Sequence, residues 1–165
     1  MPGLHTLRCG AGRDGSESDH PGQIPTLRGV AIPAYQDYTI RAQITEGMNL
    51  AAGVKAGVAE YFQDTGTWPS TNAMAGVGAA TDIKGKYVTG VEVMAGGGVR
   101  ITYGGSANTS ISGKFVGLRP GTSANNDVSW QCGAKALPTG VTVVAASSVA
   151  TTDVLAKYLP AVCRV

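Results

Sequence analysis

Apolar residues recur at Ile40, Ile44, Met48, Ala51, Val54, Val58 and Tyr61, in steps of 4, 4, 3, 3, 4 and 3. That spacing predicts one long amphipathic helix with a single stripe facing a core. Arg41, Gln43, Glu46, Asn49 and Glu60 fall on the other side, which reads as the solvated face. Pro33 suits the first turn of a helix, where its missing N–H removes no bond. Asp37 and Arg41 stand four apart with the acid first, the order that favours an ion pair. The helix is predicted over 32–62, ending before Asp64-Thr-Gly66. Gly47, Gly53 and Gly57 interrupt it, each at about 1 kcal/mol relative to Ala. Gly53-x-x-x-Gly57 is either a close-packing face or a pair of interruptions that good packing tolerates.

Such a helix needs a second layer to cover its stripe. Residues 63–85 read as a loop containing Trp68-Pro69. Lys86-Tyr-Val-Thr-Gly-Val-Glu-Val-Met94 then alternates, with Tyr87 and Thr89 on one face and Val88 on the other. Gly96-Gly-Gly98 turns the chain into Val99-Arg-Ile-Thr-Tyr103, a hairpin pattern. No Gly-Lys-Ser/Thr follows, so the triple glycine is not a phosphate loop. Further strands are predicted at Lys114–Arg119, stopped by Pro120-Gly121, and at Val128–Cys132. Short connections make the sheet over 86–132 antiparallel. The fold class is α+β, a long N-terminal helix on a four-stranded antiparallel sheet. Residues 133–162 lose all period, and Cys132 and Cys163 bracket them.

The 165 residues suit one domain with a real core, and the net charge of +2 calls for neither nucleic acid nor an anionic membrane. Residues 1–30 are turn-rich and polar around Cys9–Gly22. They are expected to be disordered, as a tag, a linker or a misread start. The formal G-x-G-x-x-G at Gly10, Gly12 and Gly15 lacks the strand and helix that a dinucleotide site requires. His5 and His20 both lie in this segment, and no zinc spacing exists. No window approaches eighteen consecutive apolar residues. Three cysteines suggest one bridge and one odd thiol, hence an oxidising compartment. Ser, Asp and Cys are present, but no arrangement couples a nucleophile to a base.

Ala31-Ile-Pro-Ala-Tyr-Gln-Asp-Tyr-Thr39, with Arg41-Ala-Gln43 and Glu46, resembles the stretch after the hydrophobic segment in type IV pilins of Pseudomonas and its relatives. Ile83-Lys-Gly-Lys-Tyr-Val88 resembles the start of their first strand. Trp130-x-Cys132 and Pro160-x-x-Cys163 resemble the ends of their disulfide-bounded loop. The resemblance spans 31–165. It implies the pilin fold, a Cys132–Cys163 bridge with Cys9 free, and a structural subunit of a surface pilus serving adhesion, twitching motility and DNA uptake. It implies no catalysis, no cofactor and no nucleic-acid site. The implied partners are other pilin subunits and a surface or glycan receptor.

By the same resemblance, Pro33, Tyr35, Asp37, Tyr38 and Arg41 are candidates for filament assembly, and Lys157, Tyr158, Leu159 and Pro160 for an adhesive loop. There Lys157 would reach an anionic group and Tyr158 would stack on a sugar. The competing reading has Leu155, Tyr158 and Leu159 pinning the loop to the sheet. A complete pilin begins with a basic leader, a cleavage site after glycine, a phenylalanine, a glutamate and about twenty apolar residues. Nothing before Val30 matches, so the chain is expected to lack the N-terminal hydrophobic helix and to be a soluble monomer. Two alternatives stand beside this reading. A type II secretion pseudopilin usually lacks the disulfide loop. A stand-alone carbohydrate-binding adhesin would use Trp68, Trp130 and Tyr158 for stacking. Asn108-Thr-Ser110 is a chance acceptor motif, and O-linked sugar on 105–112 is left open.

Overall fold

The computed structural model describes residues 28–164. The expectations for the tail, its glycine motif, its histidines and Cys9 lie outside the described residues. Helix α1 runs Arg28–Thr65, longer at both ends than the predicted 32–62. Pro33 therefore falls in the second turn, not the first. At the other end Gly66 adopts φ 70°, which carries no Cβ penalty there, and its N–H donates to the Phe62 carbonyl at 2.9 Å. Ile40, Ile44, Ala51, Val54 and Val58 are buried, while Met48 and Tyr61 are half-buried. Tyr35 and Tyr38, on the turns before the stripe, are 72% and 66% exposed.

The helix lies on an antiparallel sheet of β1 (Val88–Met94), β2 (Gly98–Tyr103), β3 (Phe115–Thr122) and β4 (Val128–Cys132), in that order. A two-residue strand β5 (Thr142–Val143) pairs with the end of β3. Val88, Val91, Val93, Val99, Ile101, Tyr103, Val116 and Leu118 point at the helix and are buried. Simple alternation cannot place both Val88 and Val91 on one face. A bulge does so, because the β1–β2 register slips by one residue between Val88 and Gly90.

Two sequence expectations about the strands are corrected. β3 is not stopped by Pro120-Gly121 but runs through them to Thr122, with Pro120 opposite Trp130. Proline is admissible because β2 pairs with β3 only as far as Leu118 and β5 pairs only from Gly121, so Pro120 falls in the gap between the two ladders. Its carbonyl accepts from the Val144 N–H at 2.9 Å. β1 starts at Val88 and not at Lys86, since the N–H groups of Lys86 and Tyr87 are taken by the Glu46 carboxylate.

The free edge of β1 is covered by the 66–85 loop. Asn72 donates to the Val91 carbonyl at 3.0 Å and accepts from the Val93 N–H at 2.7 Å, so one side chain mimics a strand. The three helix glycines differ. A Cβ at Gly47 would strike the Tyr103 hydroxyl, and one at Gly57 the Ala75 carbonyl, whereas Gly53 has open space around it. Gly53-x-x-x-Gly57 is therefore not a packing face as a unit.

Candidate functional site

The residues singled out in the helix and those singled out near the C-terminus meet. The Arg41 guanidinium donates to the Lys157 carbonyl at 3.2 Å. The Lys157 ammonium lies 3.8 Å from an Asp37 carboxylate oxygen. The predicted Asp37–Arg41 pair does not form, because both side chains turn to Lys157 instead. A cleft of about 300 Å³ opens at this junction, lined by Gln36, Asp37, Ile40, Asn108, Ser110, Lys157 and Tyr158.

The segment carrying Lys157 is irregular for a physical reason. Ala156–Tyr158 and Ala161–Cys163 are single 3₁₀ turns, the first closed by the Leu159 N–H on the Ala156 carbonyl. The bridge Cys132–Cys163 ties the end of this segment to β4 at a Cα separation of 4.7 Å. Both sulfurs are in the core.

Lys157 is exposed, and its ammonium sits 4.6 Å from the centre of the Tyr158 ring. The Tyr158 hydroxyl chiefly holds the ammonium above the ordinary lysine range; partial desolvation opposes this and Asp37 adds to it. The Tyr158 hydroxyl is in turn held below the ordinary tyrosine range, first by Ser110 and then by Lys157. Tyr158 and Leu159 themselves are buried, at 7% and 4% exposure. A sugar cannot stack on a ring in that position, so this part of the adhesive expectation is corrected. A buried ring and a buried leucine anchor the loop, as the competing reading held. Leu155, by contrast, is 57% exposed and pins nothing. Pro160 is half-buried. Pro33 belongs to the helix, and its side chain lies outside the described residues.

The helical pattern puts Gln43 and Glu46 on the solvated face, but both are tethers. The Gln43 amide oxygen accepts from the Asn108 N–H at 2.8 Å, and Gln43 is buried. Glu46 accepts from the N–H groups of Lys86 at 2.6 Å and Tyr87 at 3.3 Å. All three bonds fasten other parts of the chain to the helix over a long separation, so no local pattern signals them. Among the described residues no three His, Cys, Asp or Glu side chains are grouped to hold a metal, and no helix is long and apolar enough to cross a membrane.

The geometry can hold a rigid helix against a sheet and clamp a C-terminal loop to both. The family model described as pilin, a bacterial filament protein, matches residues 40–164. A fimbrial protein of Neisseria meningitidis serogroup B is 42% identical over 148 residues, covering 86% of this chain and 85% of that protein. The type IV major pilin protein PilE1 of Neisseria gonorrhoeae is 41% identical over 143 residues, covering 86% and 79%. The fimbrial protein EcpC of Eikenella corrodens is 38% identical over 145 residues, covering 86% and 81%. With a stripe-faced helix on an antiparallel sheet, a C-terminal bridge and these matches, the chain belongs to the pilin family of bacterial filament proteins.

Proposed function

We propose that the protein is a structural subunit of a type IV pilus, assembling with other pilin subunits into a surface fibre. One observation carries this beyond family membership. The helix buries its stripe against the sheet from Ile40 onward, yet the turns before it hold Tyr35 and Tyr38 mostly exposed. Two large aromatics on one uncovered helical segment are surface that a partner is needed to bury. Tyr35, Tyr38 and the helix from Pro33 to Arg41 supply the subunit contacts, and the sheet remains for the outer wall. The work of such a subunit is mechanical, and adhesion and twitching motility follow from the fibre, with DNA uptake a further role. Lys157 and Pro160 are the parts of the C-terminal set that reach solvent, and a receptor contact there runs through them and not through Tyr158.

Immunogold labelling of the source bacterium with antibody against this chain tests the proposal. Gold should decorate fibres along their length, and deletion of the coding sequence should remove those fibres. Label confined to the cell envelope with fibres intact would instead place the protein among secretion pseudopilins.

A further inference from the structure

Two arginines lie on the sheet face turned away from the helix, and they are treated differently. Arg100 on β2 is paired with Glu92 on β1 at 2.6 Å. Arg119 on β3 has no carboxylate within 4 Å among the described residues. Its Nε donates to the Ser147 hydroxyl oxygen at 3.4 Å and its Nη1 to the Gln131 amide oxygen at 3.5 Å. These are long bonds to neutral acceptors, and a guanidinium has five N–H groups to give. Ser147 is fully buried and donates its own proton to the Val144 carbonyl at 2.6 Å, so its oxygen is fixed toward the arginine. Arg119 is half-buried and held in place, with donors left over and, among the described residues, no carboxylate paired with it.

Arg119 borders a cleft of about 300 Å³. Beside Arg119 its lining joins the hydroxyl-bearing Ser148, Thr151 and Thr152 to the apolar Ala150, Val154 and Leu159. Gly133 and Ala134 line it as well. The volume is at the lower end of small-molecule sites. A planar fork with unspent N–H groups matches a carboxylate in two-point geometry. The lining offers hydroxyl oxygens on one part and aliphatic groups on the other, with no aromatic ring, which suits a small ring carrying hydroxyls on one face and C–H groups on the other. We propose that the Arg119 cleft binds a sugar acid, with the ligand carboxylate on Arg119 and its hydroxyls facing Ser148 and Thr151. The site shares Ala156 and Leu159 with the loop that carries Lys157, but none of its residues lines the Lys157 cleft.

The test is a titration of the ¹⁵N-labelled protein with glucuronate at constant ionic strength, followed by amide and arginine Nε–H resonances. The Arg119 Nε–H and the amides of Gly133, Ala134 and Thr151 should shift saturably, and glucose should leave them in place. Arg119→Gln should weaken glucuronate binding at least tenfold. If that variant does not fold, Ala134→Leu keeps the charge and narrows the cleft, and it should weaken binding to a similar degree. The proposal is overturned if no saturable shift occurs, if glucose acts as glucuronate does, or if the folded variants bind as the parent does. Inorganic phosphate moving the same resonances at lower concentration would also overturn it, since the site would then not be built for a carboxylate.

Discussion

The Arg41 guanidinium and the Lys157 carbonyl, 116 residues apart in the chain, are joined by a hydrogen bond of 3.2 Å. This bond and the Asp37–Lys157 pair clamp the C-terminal loop to the helix turn where the exposed tyrosines give way to the buried stripe. The Lys157 and Asp37 side chains are 56% and 32% exposed, so their ion pair contributes little. Arg41→Ala should therefore lower stability by under about 1 kcal/mol. Its larger effect should be local. Amide exchange at Lys157, Tyr158 and Leu159 should quicken while β2 and β3 keep their protection. Unchanged exchange at these three amides would show that the clamp does not hold the loop.

Tyr158 separates anchor from contact. Tyr158→Ala removes a buried ring and should destabilise by about 3–5 kcal/mol. Lys157→Ala removes an exposed side chain and should stay within about 1 kcal/mol of the parent. Urea melts of both variants, with attachment measured in parallel, check this. A Tyr158→Ala protein as stable as the parent would refute the anchoring role. Loss of attachment in Lys157→Ala alone would locate the receptor contact at the ammonium.

The bridge closes a segment of 31 residues. In the chain-entropy account its loss should lower stability by about 3–4 kcal/mol. Replacing Cys132 and Cys163 together with serine avoids leaving one reactive thiol. Because Cys163 adjoins the anchored turns, the loss should be felt first in the loop, seen as faster proteolysis between residues 133 and 162. A double variant with the parent's melting midpoint would mean that packing of Tyr158 and Leu159 alone fixes the loop.

The helix stripe was legible because burial against a flat partner imposes a local period, and Ile40 to Tyr61 carry it. The ends of the disulfide loop were legible through their resemblance to pilins. Gln43, Glu46 and Asn72 were not, since each is explained by a partner far along the chain. The Gln43 bond spans 65 residues and the Glu46 bonds 40 and 41. Pro120 misled because the rule against proline in strands assumes an unbroken ladder on both sides, and here the pairing with β2 has ended and that with β5 begins one residue later. Tyr158 lies in a segment without period, so nothing local tells whether its ring faces in or out. The Arg119 cleft is composed from β3, the end of β4 and the 148–159 segment, and it exists only once these are folded together.

Tyr103 gives stability a dependence on alkaline pH. Its hydroxyl is buried against α1 and donates to the Ile44 carbonyl at 2.9 Å. Burial first, and the Glu46 charge second, push its ionisation well above the ordinary value of 10.0. The unfolded chain then loses this proton before the folded one. The contribution is complete below pH 10 and declines as pH rises beyond it, by up to about 1.4 kcal/mol per pH unit. Tyr103→Phe should be less stable at neutral pH by about 1 kcal/mol and should show a shallower fall above pH 10. Tyr158 shifts the opposite way but is present in both proteins, so it cancels in the difference. Parallel stability curves from pH 8 to about 11.5 would contradict the assignment.

The helix glycines offer opposite outcomes from one substitution. Propensity alone favours alanine over glycine by about 1 kcal/mol at any interior helix position. At Gly53 a new Cβ meets nothing within 4 Å, so Gly53→Ala should gain about 0.5–1 kcal/mol. At Gly47 the Cβ would overlap the Tyr103 hydroxyl and come within 2.7 Å of the Ile101 Cγ2. Neither neighbour can retreat, since Tyr103 is hydrogen-bonded to Ile44 and Ile101 lies in the middle of the central strand β2. The overlap should outweigh propensity, and Gly47→Ala should lose about 1–3 kcal/mol. Gly47 thus serves as the notch that lets Tyr103 reach the helix backbone. In the double variant Gly47→Ala with Tyr103→Phe the missing hydroxyl relieves part of the overlap, so the two losses should sum to more than the loss in the pair. Melts of the four proteins decide it. Strict additivity, or a Gly47→Ala protein more stable than the parent, would show that the helix can move off the sheet and that the notch is not needed.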